Sequence, residues 1–125
     1  MPEPIDVVQR FCDSWGTPDE IEASLALLSD DCLYHNIPIE PVVGIDAIGE
    51  FVRSFAAGVE RVDFDTLAIA ANGSTVLTER VDTFRYPGGK RIDLPVMGAF
   101  EVNADGRISA WRDYFDLNQF MSQMG

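Results

Sequence analysis

The run Thr78-Glu79-Arg80-Val81-Asp82 reads as a β-strand that places an arginine and an aspartate two residues apart in an otherwise apolar half of the chain. In a strand, residues i and i+2 point to the same face, so Arg80 and Asp82 aim into one space. Burying charges there is costly unless they are paired. The run belongs to a longer pattern. From Val59 onward apolar residues alternate, in segments near 59–71, 75–86, 90–102 and 107–116, separated by Asn72-Gly73, Pro87-Gly88-Gly89 and Asn103-Ala104-Asp105-Gly106. Alternation punctuated by such turns predicts an antiparallel meander.

Upstream the period is helical. Ile5, Val8, Phe11, Cys12 and Trp15 predict a first helix over 4–15, with Pro4 in its first turn, where a missing N–H costs nothing. Thr17-Pro18-Asp19-Glu20 supplies an N-cap, an N1 proline and a capping-box glutamate for a second helix, with Ile21, Leu25 and Leu28 as its buried stripe. Cys32 to Asn36 reads as a short strand running into the proline-rich loop 37–41. Gly44 then opens a third helix with Ile45, Ile48, Phe51, Val52 and Phe55 on one face, and Leu117 to Met124 suits a short last helix. Helices first and a sheet afterwards define an α+β domain spanning 1–125, with the helices on one face of the sheet.

The chain has 125 residues, 46% hydrophobic and 10% aromatic, as expected of a folded domain with room for a core and one pocket. Its net charge of −12 repels phosphate backbones and anionic membranes, so nucleic acid and membrane are not expected partners. A neutral or apolar substrate is not hindered. Cys12 and Cys32 show no metal-ligand spacing and read as buried thiols in a reducing compartment. The start Met1-Pro2-Glu3-Pro4 has no signal-peptide pattern and no apolar run is long enough to span a bilayer, so the expected location is cytoplasmic.

A three-residue loop at 87–89 pairs Asp82 with Leu94, and a four-residue loop at 103–106 pairs Val96 with Asp113. One face then collects Arg80, Asp82, Phe84, Leu94, Val96, Trp111, Asp113 and Phe115, with Asp82 and Asp113 about 10 Å apart backbone to backbone. A two-residue loop would instead turn Pro95 and Met97 onto that face. One arginine neutralises one of two carboxylates, so the other is expected to keep its proton, which gives an acid and a base in one pocket. That is what opening a strained ether with water requires. A structural salt-bridge network is the alternative reading of the same three residues. Tyr34 and Asn36, two apart on a strand, can hold a water against one carboxylate. His35 alternates away and reads as structural. Without a second histidine or clustered thiolates there is no ligand set for a transition metal. Gly88-Gly89 is a turn and not a phosphate cradle, no serine sits in an elbow motif, and no cofactor is called for.

Tyr34-His35-Asn36-Ile37-Pro38 with Pro41-Val42-Val43-Gly44, then Thr78 to Asp82, Gly98-Ala99-Phe100, and Ala110-Trp111-Arg112-Asp113-Tyr114-Phe115-Asp116-Leu117 closely resemble limonene-1,2-epoxide hydrolases. The resemblance runs from about residue 30 onward; the first 30 residues share only the helical pattern. It implies a cone-shaped α+β fold of the nuclear-transport-factor-2-like and SnoaL-like kind, with N-terminal helices on a strongly curved mixed sheet around a deep pocket, and a homodimer. By position it makes Asp82 the general acid, Asp113 the base, Arg80 the bridge between them, and Tyr34 with Asn36 the holders of the attacking water. Phe84, Leu94, Val96, Trp111 and Phe115 fall at lining positions. The 86–90 and 103–106 turns depart from the family in length, which leaves substrate shape open. The implied activity is addition of water to a small, largely apolar epoxide, such as limonene-1,2-epoxide, to give a vicinal diol. An isomerase or cyclase of the same fold and a small-molecule binding module are the rival readings.

Overall fold

The computed structural model describes residues 3–124. The Met1-Pro2 start, part of the stretch read for a leader peptide, lies outside them. Helix α1 (Pro4–Asp13) is followed by a 3-10 turn (Pro18–Glu20), α2 (Ile21–Leu25), strand β1 (Leu28–Asn36), the two-residue β2 (Val42–Val43) and α3 (Ile45–Ala56). Strands β3 (Arg61–Asn72), β4 (Thr75–Arg85), β5 (Arg91–Val102) and β6 (Ile108–Tyr114) and helix α4 (Leu117–Met124) complete the order.

The six strands form one sheet in the order β2-β1-β6-β5-β4-β3. β3 to β6 are the expected antiparallel meander, and β1 adds in parallel beside β6, which makes the sheet mixed. Its curvature has a local cause. Register shifts fall between Thr66 and Ala68 in β3, Leu28 and Leu33 in β1, and Glu101 and Val102 in β5, and extra residues in one strand of a pair bend that strand and increase its twist. The bent sheet stays open and the helices pack against it.

Two expectations are corrected. The second helix is shorter than its pattern: the capping box forms, with Glu20 accepting the Thr17 N–H at 3.0 Å, yet Leu28 is the first residue of β1 and not part of the helical stripe. Leu28 is drawn off by pairing with Ile108, whose N–H donates to the Leu27 carbonyl at 2.9 Å. The strand expected from Cys32 therefore starts four residues earlier. The second correction concerns the β5–β6 register, which sets where Asp113 stands.

The core lies between α1 and the concave face. Val7, Val8, Phe11 and Cys12 are buried on α1. Phe11 sits at the centre of an aromatic cluster, edge-on to Trp15, Phe64, Phe100 and Trp111 at centroid distances of 5.7, 6.5, 5.9 and 4.9 Å. Edge-to-face contacts of this kind add to the apolar area buried. Phe11→Ala should lower the unfolding free energy by about 3–5 kcal/mol, read as a fall in the urea midpoint at constant m-value.

Candidate active site

Strand alternation in β4 turns Thr78, Arg80 and Asp82 inward, all buried. The three-residue turn at 87–89 is as expected: Gly88 and Gly89 take φ of 87° and 86°, values that other residues rarely adopt, and Asp82 faces Leu94. At the next hairpin the register differs from the expected one. Asp113 pairs with Gly98 and not with Val96, because the turn closes from Asn103 N–H to Arg107 O at 2.8 Å around three residues instead of four, and one more residue is taken up between Ile108 and Ala110. The slip is two residues, an even number, so Asp113 keeps its face while moving farther along β5 from Asp82 than the expected spacing. Side chains close the gap.

Arg80, 1% exposed, closes it. Its Nε and Nη2 donate to Asp82 Oδ1 and Oδ2 at 3.0 and 2.8 Å, the same Nη2 donates to Asp113 Oδ2 at 3.1 Å, and Nη1 donates to Thr78 Oγ1 at 3.0 Å. The guanidinium lies 4.7 Å from the ring centre of Phe64, where a desolvated cation gains from the ring face. It rests over Gly98. A Cβ there would stand 2.8 Å from Thr78 Oγ1 and 3.0 Å from Asp113 Oδ1, and closer still to Arg80 Nη1. Glycine is thus needed for space, at a position with ordinary backbone angles.

Asp113 Oδ2 also accepts the indole N–H of Trp111 at 2.9 Å, whereas Asp113 Oδ1 is buried with no partner. A buried carboxylate oxygen without a hydrogen-bond donor is costly. Burial pushes the Asp82 carboxyl up to about 6, against the hydrogen bonds and charge of Arg80, with the charge of Asp113 adding to the rise. Arg80 is held firmly protonated: burial opposes its charge, and the two carboxylates outweigh it.

On β1, Tyr34 pairs with Trp111 and Asn36 with Asp113. Tyr34 lies flat on the Trp111 ring at 3.8 Å, and its hydroxyl donates to Asn36 Oδ1 at 3.2 Å. Burial pushes the Tyr34 phenol far above its ordinary value. His35 turns away and bonds the Ile39 carbonyl at 3.0 Å. Tyr34, Asn36, Asp82 and Asp113 all border one cavity of about 220 Å³, and so do Phe84, Leu94, Val96, Trp111 and Phe115. The rest of its wall, including Phe51 and Phe55 of α3 and Phe120 of α4, is apolar.

Gly98, the Trp111 indole N–H and the helical wall residues are the parts that residue patterns alone did not single out as functional. Gly98 carried a signal, since glycine inside an alternating strand marks a close approach. Among the described residues no group of three or more His, Cys, Asp or Glu side chains is placed to hold a metal ion, and no helix is long and apolar enough to cross a membrane. Cys12 and Cys32 are buried and free, and burial pushes both thiols up to about 12.

The arrangement is that of an apolar-pocket domain of the SnoaL-like kind. A solved SnoaL-like polyketide cyclase candidate from Shewanella putrefaciens CN-32 is similar in fold, with a TM-score of 0.82 at 20% identity over 99% of this chain and 97% of the other. Within that class the family is shown by the sequence itself: residues 2–125 match the model of the limonene-1,2-epoxide hydrolase catalytic domain, and the chain belongs to that family. It is 39% identical over 94 residues to epoxide hydrolase EphG of Mycobacterium tuberculosis, a match covering 74% of this chain. The match spans 60% of the length of that relative. A solved LEH-like epoxide hydrolase from M. tuberculosis is similar over 96% of this chain and 87% of the other, with 32% identity and a TM-score of 0.82.

Gly98→Ala should cost about 1–3 kcal/mol in urea unfolding, the range for overpacking a filled site. Ala99→Ser, on the opposite face of the same strand, should stay within about 0.5 kcal/mol.

Proposed function

We propose that this protein is a cofactor-independent epoxide hydrolase that adds water to a small, largely apolar epoxide, terpenoid or cyclic, of the limonene-1,2-epoxide kind, and releases a vicinal diol. The observation that carries this reading is the sharing of one buried arginine between two aspartates that border the same apolar cavity as Tyr34 and Asn36. Asp82, with its carboxyl raised to about 6, is the acid. Each of its oxygens spends one lone pair on Arg80 and keeps another for a proton.

Water held by Tyr34, Asn36 and Asp113 attacks an epoxide carbon as the Asp113 carboxylate takes its proton. The carbon–oxygen bond breaks, and the leaving oxygen takes the Asp82 proton, so neither a free alkoxide nor a carbocation need form. Arg80 stabilises the charge as it passes from one carboxylate to the other. Before the next cycle Asp82 regains a proton and Asp113 loses one by exchange with solvent. A same-fold isomerase or cyclase, or a binding module, has no use for a water held against a carboxylate, and the Tyr34–Asn36 pair favours the hydrolase.

We also propose a cytoplasmic homodimer. The two free thiols suit a reducing compartment, and Leu77, Met97 and Tyr114 stand exposed on strand positions that alternate with the inward residues. Sedimentation should give twice the chain mass for the native protein and the single chain mass for Leu77→Glu with Met97→Glu; a native monomer refutes the dimer.

With limonene oxide, cyclohexene oxide and styrene oxide in ¹⁸O-labelled water, at least one should yield diol carrying a single label; no labelled diol from any of them sinks the reading. Asp82→Asn and Asp113→Asn should each lower kcat by at least about a thousandfold with the fold retained. Because the acid works protonated, kcat/KM should fall about tenfold per pH unit above pH 6.

A further inference from the structure

The open edge of β5 bears on what the cavity admits. β6 ends at Tyr114, opposite Met97, so residues 91–96 of β5 have no strand beside them on that side. Pro95 lies in this uncovered stretch and has no N–H to leave unsatisfied. At Asp93, whose backbone points the same way, one side chain takes up both polar groups. Gln123 of α4 accepts the Asp93 N–H at its Oε1 at 3.1 Å, and its Nε2 donates to the Asp93 carbonyl at 2.9 Å. A primary amide offers one donor and one acceptor side by side and here stands in for the missing strand.

Little else holds this helix. No residue of α4 is buried, and Leu117 and Met121 are 37% and 57% exposed. Lys90 Nζ donates to the Met124 carbonyl, and Phe120 meets Phe84 edge-on at 5.9 Å. Yet Leu117 and Phe120 form part of the cavity wall, and Phe84 sits two residues from Asp82 on the same strand face. A wall seated on a few hydrogen bonds and no buried residue is set by those bonds and not by the core.

We infer that α4 is an adjustable wall of the cavity, that Gln123 is the residue positioning it, and that Phe120 limits the bulk of what enters. The kinetic form of this inference rests on the hydrolase reading: with the wall seated, compact cyclic epoxides are favoured over elongated diaryl ones. Releasing Gln123 or trimming Phe120 reverses that preference without touching the acid, the base or the arginine.

The test uses the full chain and four variants, Gln123→Ala, Gln123→Glu, Phe120→Ala and Phe120→Trp. The first arm involves no chemistry: the neutral fluorescent probe N-phenyl-1-naphthylamine is titrated and its emission followed. Gln123→Ala, Gln123→Glu and Phe120→Ala should bind it about tenfold more tightly than the native protein, and Phe120→Trp more weakly. In the second arm, kcat/KM for trans-stilbene oxide relative to cyclohexene oxide should rise about tenfold in the first three variants, with the pH profile unchanged. Equal probe affinity in all five proteins overturns the wall, and so does an equal loss on both epoxides. Shifted probe affinities with no epoxide turned over sustain the wall and refute the hydrolase reading, which keeps the two failures apart.

Discussion

A single cation held between two carboxylates, away from water, is the constraint on which the rest of the structure depends. Arg80 has no route to solvent, so every bond it makes must be supplied by the fold. Removing one partner of such a buried group leaves an uncompensated charge, a loss of about 3–5 kcal/mol. Three strands must therefore keep register at once: β4 to bring Thr78 and Asp82, β5 to leave a gap at Gly98, and β6 to deliver Asp113. The Phe64 and Phe100 rings cover the guanidinium at 4.7 and 5.9 Å and complete the enclosure.

That enclosure also explains the electrostatic asymmetry. Two carboxylates and one arginine leave a net negative charge in a dry space, and the carboxyl of Asp82 rises to about 6. Holding that group ionised at neutral pH costs folding free energy, because its proton is lost more readily from the unfolded chain. The sign follows from linkage: this contribution against folding is absent below the ordinary carboxylate range and complete above about pH 6. Stability is thus given up where the proposed chemistry needs a proton donor.

Much of this was legible in the residues. Alternation and glycine turns placed four strands, and the period of two put Arg80 and Asp82 on one face whatever the register, with Asp113 joining them after any even slip. That is why an error of two residues at the β5–β6 hairpin left the cluster standing. The register itself was not legible, because it depends on a residue accommodated between Ile108 and Ala110, and nothing local distinguishes a bulge there from a shorter loop. The fate of Leu28 was hidden for a similar reason: its spacing fits a helix, and only a partner eighty residues away draws it into the sheet. The parallel docking of β1 against β6, which sets Asn36 beside Asp113, is long-range as well. Tyr34 and Asn36 were found from their spacing, and their neighbour was not.

Trp111 has a consequence for how this molecule can change. Its ring lies against Phe11 of α1 and flat on Tyr34, while its N–H fixes one oxygen of Asp113. One side chain is therefore both a keystone of the interior and the hand that aims the carboxylate proposed to react. A change in the packing of α1 is transmitted to that oxygen without passing through any polar residue. Evolution or design cannot tune the interior and the proposed chemistry independently, and variants that trade volume around Phe11 will drift in both together.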